Sequence, residues 1–198
     1  MSFLSLLLKN VHLPEACTAA LQESIQVHIF PKNQLLLWPG QISEQLYYVE
    51  SGLAREYVDG DTGHTTCWLA EKGDLLVALD SYLEQKPTQS YLQVLRDSTL
   101  QSIAYRDLKQ LVLEFPILEK AISNVQSHYL EAYLFQLNLL RMGNFPKRYE
   151  EFVKQYPRLS NEVQANYLAS YLGMSSFHIY HIRSNIAKGG DGNKDAKN

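Results

Sequence analysis

Between about residues 33 and 103 the apolar positions fall in short β-branched and aromatic runs, each closed by a turn. Residues 34–38 run into Pro39-Gly40, 46–50 into Ser51-Gly52, and 53–58 into Asp59-Gly60-Asp61-Thr62-Gly63. Residues 64–70 are followed by Lys72-Gly73-Asp74, and two further runs cover 90–95 and 99–104. Glycine turns at near-regular intervals between such runs predict an antiparallel sandwich or small barrel. Residues 74–89 break the rhythm and suit a short helix or loop around Leu79-Asp80-Ser81-Tyr82-Leu83.

The period then changes from two to between three and four. Arg106-Asp107-Leu108 opens a helical stretch that Phe115-Pro116 restarts. Beyond it, Leu118, Ile122, Val125, Tyr129, Ala132, Gln136 and Leu139 recur in steps of four and three, a heptad seam. A single buried helix shows the same stripe. The length of the run, and its place between a β-region and a helical one, favour a dimerisation helix over residues 116–142. Gln136 is either its register-setting polar residue or the point where the seam ends.

Gly143-Asn144-Phe145-Pro146 discourages helix continuation and reads as a hinge, followed by a short helix from Lys147 that Pro157 closes. The most informative stretch comes next, Leu168-Ala169-Ser170-Tyr171-Leu172-Gly173-Met174-Ser175 with Ile179 and Ile182. Ala169 is small enough for a close helix crossing, and Gly173 can take the positive φ that a helix terminator needs. Leu168, Leu172, Met174, Ile179 and Ile182 supply the apolar contacts, and Ser175 or Ser176 is placed to cap a second helix. This is the pattern of a DNA-binding helix-turn-helix. An ordinary αα-hairpin is the alternative, since it also uses glycine in its turn. The expected division is therefore 1–115, a β-barrel; 116–142, the long helix; 143–188, the helix-turn-helix; and 189–198, a disordered tail with no apolar anchor.

A hydrophobic content of 45% and a charged content of 20% are those of an ordinary globular protein, and they leave no case for a disordered chain. The net charge of -3 conceals a polarity: residues 146–188 hold six basic side chains (Lys147, Arg148, Lys154, Arg158, Arg183, Lys188) against Glu150, Glu151 and Glu162. A basic end on an acidic body suits contact with phosphate. Cys17 and Cys67 have no metal-type spacing and read as small hydrophobes of a reduced, cytoplasmic protein. The apolar residues 1–8 lack a basic leader and are too short to span a bilayer, so they suit a first helix packed on the body.

The order β-barrel, long helix, helix-turn-helix resembles the CRP/FNR family of bacterial transcription regulators. The residues carrying the resemblance are Leu46-Tyr47-Tyr48-Val49-Glu50-Ser51-Gly52, Asp61-Thr62-Gly63, Lys72-Gly73-Asp74 and Tyr167-Leu168-Ala169-Ser170-Tyr171-Leu172-Gly173-Met174-Ser175. The likeness is greatest to short members typical of Bacteroidetes-type bacteria. It implies an α+β fold: an N-terminal double-stranded β-helix (jelly-roll) barrel, a long dimerisation helix and a C-terminal all-α helix-turn-helix domain. In members that bind cyclic AMP, a Gly-Glu pair and an Arg-Ser pair hold the nucleotide. Here Gly73-Asp74 matches the first pair, while the second falls at Thr88-Gln89-Ser90, which contains no arginine. These five residues are the candidate ligand pocket, and without a counter-charge for the phosphate cyclic AMP is not the expected ligand. A barrel kept as scaffold and a barrel for another small-molecule effector remain alternatives.

Two cysteines cannot ligate an iron–sulfur cluster. His64 and Cys67 are expected on opposite strand faces, so no haem site is expected, and His28, His64 and His128 read as surface or packing residues. Arg55 and Trp68, on adjacent expected strands, read as wall residues, with a pocket-facing role as the alternative. No cofactor, metal or catalytic constellation is expected, and the chain reads as a non-enzyme.

Helical spacing turns Ile179 and Ile182 inward and leaves Ser175, Ser176, Phe177, Tyr180, His181 and Ser184 toward a groove, with His178 and Arg183 at the margins. Family members commonly carry Arg and Glu at the positions of Ser176, Phe177 and His181. Their absence predicts weaker or more shape-dependent readout, because each good bidentate contact gives about 1–3 kcal/mol of discrimination. The alternative is that this face has become a protein interface. No strand pair for a wing follows Lys188. The partners expected are double-stranded DNA, a second copy of the chain, an unidentified effector and RNA polymerase, with no membrane.

Overall fold

The computed structural model describes residues 2–9, 11–60 and 63–191, the side chains of 187–191 excepted. The turn residues Asp61 and Thr62 and the tail from 192 onward lie outside the described residues. The chain divides into two compact units, Met1–Glu131 and Ala132–Asn198.

The first unit opens with two helices, α1 (Phe3–Leu7) and α2 (Glu15–Ser24). Ser2 caps α1 reciprocally with Ser5: the Ser5 amide donates to Ser2 Oγ and the Ser2 amide to Ser5 Oγ. The strands are β1 (Gln26–Phe30), β2 (Leu35–Leu37), β3 (Gln45–Gly60), β4 (Gly63–Glu71), β5 (Leu75–Leu76) and β6 (Ser90–Ala104). They form one antiparallel six-stranded sheet in the order β1-β6-β3-β4, with β2 on β6 and β5 on β3. The short helix expected near Leu79 is α3 (Leu79–Glu84). The α+β class is as expected; among the described residues no ladder joins β1 to β4, so the strands form a sheet in hydrogen-bonding terms.

Two pairs of expected strands are each one long strand. Ser51-Gly52 is not a turn but a bend inside β3, where the register shifts between Val49, Ser51 and Leu53. Gly52 has φ +113°, and a Cβ there would lie 1.8 Å from Ser98 Oγ, so only glycine allows β6 to pass so closely. β1 had no counterpart among the expected strands.

Helices α4 (Tyr105–Glu114) and α5 (Leu118–Arg141) follow, separated by Phe115-Pro116 as expected. Phe3, Leu7, Cys17 and Leu21 pack with Tyr48, Leu75, Ile103, Leu111, Leu118 and Ala121 in one core, against which Val125 and Tyr129 also pack. The Cys17 thiol is fully enclosed, and burial raises its pKa, consistent with a packing role. The seam residues Leu118, Val125 and Tyr129 thus face the chain's own β-domain.

The second unit holds the end of α5, then α6 (Phe145–Gln155), α7 (Pro157–Glu162), α8 (Ala165–Tyr171) and α9 (Ser176–Asp191). Asn144 caps α6 by accepting from the Lys147 amide at 3.0 Å. Its core is Leu139, Phe152, Leu159, Leu168, Leu172, Ile179 and Ile182, all buried. Backbone helix continues to Asp191, past the expected end at Lys188.

Candidate functional site

The turn between α8 and α9 has the geometry that Gly173 foretells. Gly173 has φ +59°. Its amide donates to the Ser170 carbonyl at 3.2 Å, and the Met174 amide donates to the Ala169 carbonyl at 3.0 Å. This paired closure is a Schellman motif, and it aims the chain directly into α9. Ser175 is the cap: its Oγ accepts from the His178 amide at 3.4 Å and shares a hydrogen with His178 Nδ1 at 2.8 Å.

The turn is held by a residue that sequence reasoning placed in a basic patch. Arg148 is buried, and its Nη1 donates to the carbonyls of Leu172 at 2.6 Å and Gly173 at 3.1 Å. Nη2 donates to the Leu140 carbonyl at 3.1 Å and to that of Met142, which Nε also reaches at 3.2 Å. One planar guanidinium therefore joins the end of α5 to the turn after α8, bridging the segment expected to be a hinge.

On α9, Ile179 and Ile182 are buried, as the spacing requires. Ser175, Ser176, Phe177, Tyr180, His181 and Ser184 are exposed and His178 is half-buried. Phe177 is 72% exposed and Tyr180 62%. The Phe177 and His181 rings stack at 6.2 Å, and Asn185 Nδ2 and His181 Nε2 lie 3.1 Å apart. Arg183 departs from the expected groove margin. Its Nε donates to Tyr149 Oη at 3.0 Å and its Nη2 to the Ser160 carbonyl at 2.6 Å. Lys154 pairs with Glu151 at 2.8 Å and Glu150 at 3.3 Å. Arg148, Lys154 and Arg183 thus have partners within the unit.

Along α5 the expected seam and the exposed apolar stripe are different faces. Ile122 and Ala132 are half-buried and Gln136 and Leu139 buried, whereas Leu130, Tyr133, Leu134, Leu137 and Leu140 are exposed. Of these, Leu130, Tyr133, Leu137 and Leu140 repeat the three-and-four spacing of the seam displaced by one residue, and Leu134 lies beside them. Seam residues Leu118, Val125 and Tyr129 pack on the β-domain core, and the exposed apolar residues of α5 lie on the neighbouring stripe.

In the β-domain, Gly73 has φ +103° and ends the turn after β4. Asp74 Oδ2 accepts from the Glu71 amide at 3.0 Å, and Thr88 Oγ1 accepts from the Ser90 amide at 2.9 Å. Thr88 and Ser90 are buried, and Gln89 is exposed. Near Ser90 stands the carboxyl of Glu56, a residue the sequence reading did not single out. Glu56 sits opposite both Leu92 and Trp68 in register and shares their face. Burial lifts its pKa to about 7 although the nearby Ser90 hydroxyl favours the charged form, and burial likewise lifts Asp74 to about 7. Arg55 lies on the opposite face, donating to Gln93 Oε1 at 2.9 and 3.0 Å and lying over the Tyr57 ring. Arg55 and Trp68 therefore do not line one pocket. The sequence neighbours Lys86 and Arg96 contact Glu84 at 2.9 Å and the Gly52 carbonyl at 3.3 Å.

His64 and Cys67 are separated by a bulge in which Cys67 is the extra residue. Among the described residues no group of three His, Cys, Asp or Glu side chains is placed to hold a metal ion, and no helix is long and apolar enough to cross a membrane.

Residues 27–115 match the cyclic nucleotide-binding domain family. FixK2 from Bradyrhizobium japonicum superposes with a TM-score of 0.73 at 15% identity, over 84% of this chain and 86% of that one. A regulator assigned to the CRP/FNR family from Eubacterium rectale gives 0.69 at 14% identity, over 90% and 85%. The fold is that of the CRP/FNR transcription regulators. A further CRP/FNR-like neighbour, the c-di-GMP-responsive global regulator CLP of Xanthomonas campestris, gives 0.68 at 18% identity, over 89% and 93%. No curated protein matches the chain in sequence.

Proposed function

We propose that the chain is a homodimeric transcription regulator that binds double-stranded DNA through α9, with a β-domain that does not take cyclic AMP. The observation that carries this reading is the α8–turn–α9 unit itself: a Schellman turn clamped by Arg148, with Phe177, Tyr180 and His181 exposed along the front of α9. The apolar stripe from Leu130 to Leu140 supports a second copy as the partner of α5, which would present two copies of α9 to major grooves one turn apart. RNA polymerase is the downstream partner, and the chain acts as a regulator rather than an enzyme.

Electrostatics disfavours a cyclic nucleotide in the β-domain. A nucleotide phosphate at Ser90 would meet the Glu56 carboxyl, and no arginine stands in Thr88-Gln89-Ser90. Fluorescence anisotropy against the chain's own upstream duplex and a scrambled one, across salt, tests the reading. Tighter, salt-sensitive binding to the upstream duplex is expected, and equal binding to both would overturn sequence-specific regulation.

A protein-interaction module on the same fold is the second reading, favoured by the inward commitment of Arg148 and Arg183 beside exposed Phe177 and Tyr180. It predicts no salt-dependent DNA binding.

A further inference from the structure

Two aromatic side chains from different elements meet at one backbone residue of the β-domain. Trp68 Nε1, from β4, donates to the Leu75 carbonyl at 3.1 Å. The Leu75 amide donates in turn to the Tyr129 hydroxyl, from α5, at 2.5 Å. The two rings lie 5.5 Å apart. Leu75 opens β5 directly after Gly73-Asp74, so the pair ties the first half of α5 to the strand leaving that turn. Val125, one turn earlier on α5, packs on the same core.

The polar groups around this position are already engaged by the chain. Asp74, next to Leu75 in the chain, takes the Glu71 amide, and Thr88 takes the Ser90 amide. Glu56 and Trp68 are register partners on one face. A carboxyl, an indole and a phenol thus stand together where strands β4 and β5 meet α5.

We infer that the β-domain carries its own substitute for an effector: Trp68 and Tyr129, meeting on Leu75, hold the first half of α5 in place without any nucleotide. The chain is then a self-liganded, constitutively set regulator. Its consequence for DNA rests on the proposed function, whereas the anchoring does not.

The test is hydrogen exchange on the full-length protein, wild type against Tyr129→Phe, a change that removes one oxygen and keeps the ring. Wild type should protect the Leu75 amide and residues 118–131 with no nucleotide present, and added cyclic AMP or cyclic GMP should leave that protection unchanged. Tyr129→Phe should speed exchange at Leu75 and along 118–131 by about tenfold or more while residues 145–186 keep wild-type rates, which serves as the folding control. Unaltered exchange in Tyr129→Phe, or slowing on nucleotide addition, overturns the inference. DNA anisotropy on the same samples separates the two claims. Wild type that binds no duplex, with exchange behaving as described, removes the DNA reading and keeps the anchoring. Wild type that binds its duplex, with Tyr129→Phe unaltered in exchange, removes the anchoring alone.

Discussion

Arg148 Nη1 donates to the Gly173 carbonyl at 3.1 Å, joining the first turn of α6 to the turn that precedes α9. The same guanidinium satisfies carbonyls at the ends of α5 and α8, where the negative poles of both helix dipoles lie. Replacing it with an apolar chain leaves these carbonyls without a donor. Arg148→Met is expected to lower the stability of the second unit by about 2–4 kcal/mol, and Arg148→Lys to recover less than half, because an ammonium cannot span the set. Urea denaturation checks this, and an unchanged midpoint would contradict it.

Gly173→Ala combines a backbone and a steric penalty. At φ +59° a side chain is strained, and the new Cβ would lie 3.0 Å from Leu140 Cδ2 and 3.4 Å from Arg148 Nη1. A loss of about 1–2 kcal/mol is expected, read by thermal unfolding, with weaker DNA binding in the same protein.

Arg183 distinguishes an inward arginine from a phosphate contact. Arg183→Ala removes bonds to Tyr149 and the Ser160 carbonyl, so the unfolding temperature should fall while the slope of log affinity against log salt stays the same. Phe177→Ala and Tyr180→Ala should do the reverse, sparing stability and lowering the preference for the upstream duplex. A slope reduced by about one in Arg183→Ala would mean that it does touch phosphate.

The pH dependence follows from Glu56 and Asp74. Both have folded pKa values near 7, above their ordinary values of 4.5 and 3.8, so the folded state holds more protons than the unfolded state between about pH 4 and pH 7. Their contribution to stability is full below that window and is lost as pH rises through it. The groups acting on Glu56 are the Ser90 hydroxyl and the Asp80 carboxylate, and on Asp74 the Glu71 amide and carboxylate. Glu56→Gln should flatten part of the fall and raise the urea midpoint at pH 8 relative to wild type. A lower midpoint at pH 8 would contradict the assignment.

The two faces of α5 call for opposite substitutions. Leu134→Asp, on the exposed stripe, should yield a folded monomer by sedimentation, whereas Leu118→Ala, fully buried in the first unit, should cost about 2–5 kcal/mol and leave the association state alone. A dimer that survives Leu134→Asp would place the interface elsewhere.

What the sequence made legible, and what it hid, differ in physical kind. Gly173, the buried Ile179 and Ile182 and the break at Phe115-Pro116 are local: backbone sterics and helical period act within a few residues, and both are visible in one strand of text. Arg148 was hidden because the burial of a cation depends on two helix ends converging around it, which no local pattern reports. The seam on α5 was ambiguous because the stripe containing Val125 and Tyr129 and the one containing Leu130 and Leu137 share a period and differ by one residue. Periodicity cannot say which of them faces the chain's own body. Gly52 read as a turn because the close approach of Ser98, which is what requires it, comes from a strand more than forty residues away. Glu56 did not stand out in the sequence for the same reason: its neighbours Trp68 and Leu92 are set by register.

The most direct measurement is a hydroxyl-radical footprint of the wild-type protein on the duplex upstream of its own gene, with no nucleotide added. The account predicts two protected segments on one face of the DNA, centred about one helical turn apart, and their loss with Leu134→Asp. A single protected segment, or equal protection of a scrambled duplex, would contradict a dimeric regulator reading DNA through α9.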